Sequence, residues 1–138
     1  RHICEWVQVP VKGNQMAKII IGLIAAFYFC IALYMWFVPL PWYNNTPGVT
    51  LTGPFNIHFV RDVALVFLSS AGALGYGIWK NNSAVAIAGA AWPSMHGVFH
   101  LHMWMMRDFS LDYIAASDIS LVMFPAWVAL YFSFKLKE

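Results

Sequence analysis

Residues 19–38, IIIGLIAAFYFCIALYMWFV, run without a single charge. A bilayer core takes a helix of about 20 apolar residues, because only a helix or a closed barrel satisfies its own backbone there. Pro39 and Pro41 stop this run. Composition agrees with a lipid setting. The chain is 61% hydrophobic and 10% charged, against about 25% charged in soluble domains. Its 138 residues suit one domain. The net charge of +2, with no basic block, excludes a nucleic-acid partner. Cys4 and Cys30 form no Cys-x-x-Cys and no disulfide framework.

Three further apolar runs follow, at 55–79, 83–106 and 118–134. The expected fold is all-α: an integral membrane bundle of four antiparallel helices. Only Lys80-Asn81-Asn82 links the second run to the third, so those two form a tight hairpin. Residues 39–53 carry three prolines and two glycines and read as a connection rather than a helix. Pro93 and Pro125 fall inside the third and fourth runs, where neighbouring helices can satisfy the freed carbonyls. Asn56 is placed to cap the second helix. Ser69, Ala73 and Gly77 face the small residues of "SAVAIAGAA" across the hairpin, which lets the two backbones approach closely at that end. Bulky Phe55, Phe59 and Phe99 at the other end predict a wedge-shaped cavity between the two helices. Residues 1–15 read as a cytoplasmic tail or a translated leader, since Met16-Ala17-Lys18 resembles a natural start; residues 16–138 form the single four-span domain.

Lys12, Lys18, Lys80, Lys135 and Lys137 fall on one side of such a bundle, and the loop at 39–53 has no basic residue. The positive-inside rule then puts both termini in the cytoplasm of a bacterial inner membrane. Trp36, Trp42, Tyr43 and Trp104 mark the outer interface and Trp79 the inner one. At 1.5 Å per residue, His58, Arg61 and Asp62 lie about 5–10 Å below the outer surface, and His100 and His96 about 9–15 Å below it. Asp118 opens the fourth run near that level. Six polar residues thus share one layer. Intramembrane ionisable groups are expensive and point inward by default, so His58, Arg61, Asp62 and His100 are expected to form one inward-facing cluster. Asp118 or a bound anion is the expected partner of Arg61, and His96 or His100 that of Asp62. The bland alternative is a structural Arg-Asp pair that fixes helix register.

The stretch "TPGVTLTGPFNIHFVRDVALVFL" at 46–68, followed by "FHLHMW" at 99–104, resembles a group of small uncharacterised four-span bacterial membrane proteins carrying Gly-Pro-Phe-Asn-x-His-Phe-x-Arg-Asp. These look distantly like the DoxX-like proteins. The resemblance covers about the middle half of the chain and departs at Ala64, where the group has a glycine nearby. It implies a four-helix bundle and, through the DoxX name, an association with quinone-linked sulfur oxidation.

Three function classes remain from sequence. One is a binding or accessory protein holding a small hydrophobic ligand, a quinone, or a partner membrane subunit. Another is a quinone-linked oxidoreductase component, in which Asp62 and the histidines move protons. A transporter would need a homo-oligomer to make a path. His96 and His100 have metal-ligand spacing, but zinc needs further ligands, which His58 and Asp62 would have to supply. Haem between His58 and His100 is the other cofactor arrangement compatible with two helices.

Overall fold

The computed structural model describes residues 12–136, with no strand among them. Helix α1 spans Lys12–Phe37, α2 Pro39–Asn45, α3 Ile57–Lys80 and α4 Ser83–Met105. A 3-10 turn, Val49–Leu51, lies between α2 and α3. The chain then runs through α5 (Tyr113–Ser117), a π-helical turn (Asp118–Met123) and α6 (Phe124–Lys135) without a break. The segment expected as a tail or leader lies mostly outside the described residues, as does Cys4; α1 already begins at Lys12. Cys30 is free and exposed.

Local chemistry sets the boundaries. The Asn56 side chain accepts the His58 and Phe59 N–H groups and starts α3, as an N-cap does. Asn81 closes α3 in the left-handed region at φ 52°, a conformation asparagine tolerates better than most residues. Asn82 then caps α4 through the Val85 N–H. The two-residue hairpin link is therefore a stop and a start back to back. Asp112 starts α5 by accepting the Ala115 N–H, and Arg107 pairs with the same carboxylate. The Ala115 N–H first, and Arg107 after it, hold that carboxyl below the ordinary carboxylate range.

Two expectations about elements need correction. Residues 39–45 are helical, because prolines at the first turn of a helix lose no hydrogen bond. The last helical run begins at Tyr113, five residues before the expected start, because Asp112 is a cap and not merely a loop charge.

α1 packs on α3, α3 on α4, α4 on α6, and α6 returns onto α1. Ile21, Ala25 and Tyr28 of α1 meet Ala71 and Leu74 of α3, Ala90 of α4 and Ala129 of α6 in one buried cluster. Met35, Val60 and Ala64 form a second, nearer the α1–α3 loop. Alanine and glycine dominate this interior. Leu23, Phe37, Phe59, Trp79 and Phe134 lie outside, each more than 60% exposed. That arrangement inverts a soluble protein, where such a surface would be an aggregation liability. It is the arrangement of helices packed in lipid, where close backbone contact rather than apolar burial holds helices together. Among the described residues, three helical runs are long and apolar enough to cross a membrane: Asn14–Phe37, Ile57–Lys80 and Tyr113–Lys135. α4, expected as the third span, is not among them. Its glycines, serines and histidines lower its hydropathy, and it lies in contact with both α3 and α6.

The small-residue contact across the hairpin is as expected. A Cβ on Gly77 would sit 2.8 Å from the Ala86 nitrogen, and one on Gly89 would sit 2.9 Å from the Ala73 Cβ and the Leu74 nitrogen. Ser69 takes no part; it is exposed and returns its hydroxyl to the Leu65 carbonyl. The expected wedge between α3 and α4 is occupied midway along the pair, where Phe67 packs edge-on against Trp92 and His96.

Candidate functional site: a buried Asp–His–His chain

The six candidate residues separate into two groups. His96, His100 and Asp118 come together inside. His100 Nδ1 lies 3.0 Å from Asp118 Oδ1, with side-chain exposures of 16% and 9%. His100 Nε2 lies 3.2 Å from His96 Nε2. His58 and Asp62 pair with each other at 2.8 Å, but with exposures of 84% and 59% they face outward. Arg61 is also exposed and sets its guanidinium over the Trp36 ring, 5.4 Å from the ring centre.

The expected partners are thus exchanged. Asp118 is paired with His100 and not with Arg61, and Asp62 with His58 and not with His96 or His100. The reason is azimuth. Val60 and Ala64 carry the buried face of α3. Asp62 is two residues from each, about 200° round the helix, and His58 shares its face one turn away. On α4 the buried stripe runs through Ala86, Gly89, Ala90, Pro93 and Gly97. His96 lies two turns beyond Gly89, on the flank that meets α3, where it packs on Phe67, and His100 one turn further on reaches Asp118 of the π-helical turn.

Asp118 owes its position to Pro125. Proline offers no N–H to the carbonyl four residues back, and its ring crowds that carbonyl. The helix widens before it, and the Phe124 N–H reaches the Ile119 carbonyl, five residues back. Asp118 is the first residue of the widened turn, a distortion often found where a helix serves a site. Two bonds fix the register of α4 against α6 below it: Ser94 Oγ donates to the Ala126 carbonyl, and Trp127 Nε1 donates to the Ser94 carbonyl.

A lone buried carboxylate is costly, and the polar side chain that faces Asp118 is His100. Their contact has ion-pair distance but is too bent for a hydrogen bond, leaving Nδ1 without a hydrogen-bond partner. The two Nε2 atoms need one hydrogen between them. One carboxylate and two imidazoles thus form a single run of polar contacts. His96, half-buried, stacks on Trp92 with ring centres 4.8 Å apart and planes 12° from parallel. Exposed Phe99 lies on its other side, 6.5 Å away. The chain therefore leads from a buried acid to a histidine at the bundle's flank.

Sequence reasoning missed two members of this neighbourhood. Trp92 is one turn before His96, and the spacing 92, 96, 100 was its signal. Tyr28 is buried, packs on Phe67 at 5.4 Å, and has no partner for its hydroxyl; nothing in an apolar run marks it out. Among the described residues, no group of three or more histidine, cysteine or acidic side chains converges as a metal site would. Haem between His58 and His100 does not fit, because His58 is turned outward to Asp62.

Comparison with protein-family models, with curated proteins and with solved structures finds no match. What the site does has to be read from its own geometry.

Proposed function

We propose that this chain is a four-span bundle of a bacterial inner membrane that binds a small amphipathic ligand beside His96 and exchanges a proton with it. The buried Asp118–His100–His96 chain carries this reading. Polar groups of this kind in a membrane helix are retained for a task, and these end at a half-buried ring flanked by aromatic faces, suited to a flat headgroup with a hydrogen-bonding oxygen. In this reading α4 is the third span and completes the four, its modest hydropathy offset by contact with α3 and α6. A second reading, a quinone-linked oxidoreductase component of DoxX-like type, is favoured by the same chain. A partner subunit would supply two electrons to the quinone, and His96 would pass on one of the two protons the quinol takes up, the other coming from water.

Solvent extraction and an absorption spectrum of the purified protein test the two readings. The expected result is a colourless, metal-free protein that releases an amphiphile, with less of it recovered from His96→Leu. A Soret band or bound iron would sink the ligand-binding reading. An extracted quinone, reduced only when membranes are present, would favour the second.

Both termini are expected in the cytoplasm. Lys80 and Lys135 end their helices and Lys18 lies in the second turn of α1, all toward the hairpin end and away from the α1–α3 loop. Alkaline phosphatase fused after Glu138 should be inactive, and the same reporter placed in the 46–53 segment active. The reverse pattern overturns the orientation.

A further inference from the structure

A shallow apolar groove of about 280 Å³ runs between α1 and α3 on the outside of the bundle. Buried Ala32 and Ala64 form its floor, and exposed Leu33, Phe37, Leu65 and Leu68 its walls. Arg61 stands at its mouth, one turn from Leu65 toward the α1–α3 loop, held over the Trp36 ring that also lines the groove. Among the described residues no carboxylate lies within ion-pair distance of Arg61. Asp62, its neighbour, projects about 100° away round the helix and is engaged by His58.

We propose that this groove seats one acyl chain of an anionic phospholipid, with the lipid phosphate on Arg61. An unpaired cation in this setting lacks a counter-charge, and a phosphate supplies one in the bidentate geometry that guanidinium favours. Arg61 lies four residues into α3, about 6 Å along its axis, where a phospholipid carries its phosphate and glycerol. Leu68, the deep end of the groove, is seven residues on, about 10 Å deeper, so the groove continues in the direction an acyl chain takes. Trp36 keeps the guanidinium at the rim and the groove free of it. The proposal rests on the membrane-spanning reading and is independent of the Asp118–His100–His96 chain.

The test uses the full chain purified in a maltoside detergent. Phosphatidylglycerol, phosphatidylcholine and inorganic phosphate are added in turn, and bound lipid is counted by native mass spectrometry. Phosphatidylglycerol should bind about tenfold more tightly than phosphatidylcholine, the size of one charge-assisted hydrogen bond. Arg61→Gln should erase that preference, and Arg61→Lys should keep part of it. Leu65→Trp, which fills the groove from its exposed wall, should weaken both lipids. Equal binding of the two lipids by the native chain overturns the proposal, as does an undiminished preference in Arg61→Gln or undiminished binding in Leu65→Trp. Displacement of phosphatidylglycerol by millimolar inorganic phosphate assigns Arg61 to a free anion and also overturns it. Should Arg61→Gln not fold, Leu65→Trp and the phosphate competition still decide. Release of the native protein from membranes by alkaline carbonate would sink the membrane reading itself; retention without lipid preference removes only the lipid site.

Discussion

His100→Leu should be among the most damaging single substitutions in the protein. It leaves the Asp118 carboxylate, 7% exposed, with no counter-charge. Breaking a buried pair by removing one partner costs about 3–5 kcal/mol. Asp118→Leu should cost less, because His100 is more exposed than Asp118 and keeps its contact with His96. The double variant, leucine at both positions, should recover much of the larger loss, since two apolar side chains carry no desolvation penalty. Thermal unfolding in detergent, read as a double-mutant cycle, gives the coupling. Additive effects of the two substitutions would show that the residues do not depend on each other. The His58–Asp62 pair is the internal control. It has similar geometry but stands exposed, and exposed pairs contribute about 0–1 kcal/mol, so leucine at either position should barely move the transition.

Gly77→Leu and Gly89→Leu should each destabilise by about 3 kcal/mol, at the upper end of overpacking. Even a methyl group at these positions meets backbone of the facing helix, the Ala86 nitrogen in one case and the Leu74 nitrogen in the other. Backbone cannot rotate away as a side chain does, so α3 and α4 must separate. Gly72 and Gly75, on the same helix, have nothing within 4 Å of a built Cβ, so Gly72→Leu should change stability by less than about 0.5 kcal/mol. Equal losses at Gly72 and Gly77 would mean that leucine disturbs α3 itself, not its contact with α4. Ala73→Leu should fall between these cases, because the Ala73 Cβ already touches Gly89.

Local signals in the sequence translated directly into structure. Asn56 caps α3, the Lys80-Asn81-Asn82 link makes the hairpin, and Ala73 and Gly77 meet their small counterparts, because each depends on backbone chemistry within a few residues or on simple size. Depth was legible for the same reason: a helix rises uniformly, so counting residues put His100 and Asp118 level with each other. Azimuth was not legible. His58, Arg61 and Asp62 were expected to face inward because they are polar, but the interior of α3 is claimed by Val60, Ala64 and Ala71, whose small or branched side chains suit close helix contact. Near the end of a span, polar side chains can reach the interface and need no inward face. The helix at Pro39–Asn45 was hidden by its prolines, which mark a break when read inside a helix and a beginning when read at its first turn.

The modest hydropathy of α4 has a consequence for how the molecule is made. α1 and α3 are long and apolar enough to cross a bilayer. α4 follows with Ser94 and His100, whose polar partners lie on the last helical run. In a membrane those groups have no water to turn to and no partner yet synthesised. Asp118 emerges eighteen residues after His100, and the Ser94 and Trp127 bonds close later still. On the proposed four-span reading, α4 would be held in the bilayer only once the final helix supplies these partners, and that helix would act as its latch. A chain ending before Tyr113 would leave His100 without Asp118 and Ser94 without Ala126 and Trp127.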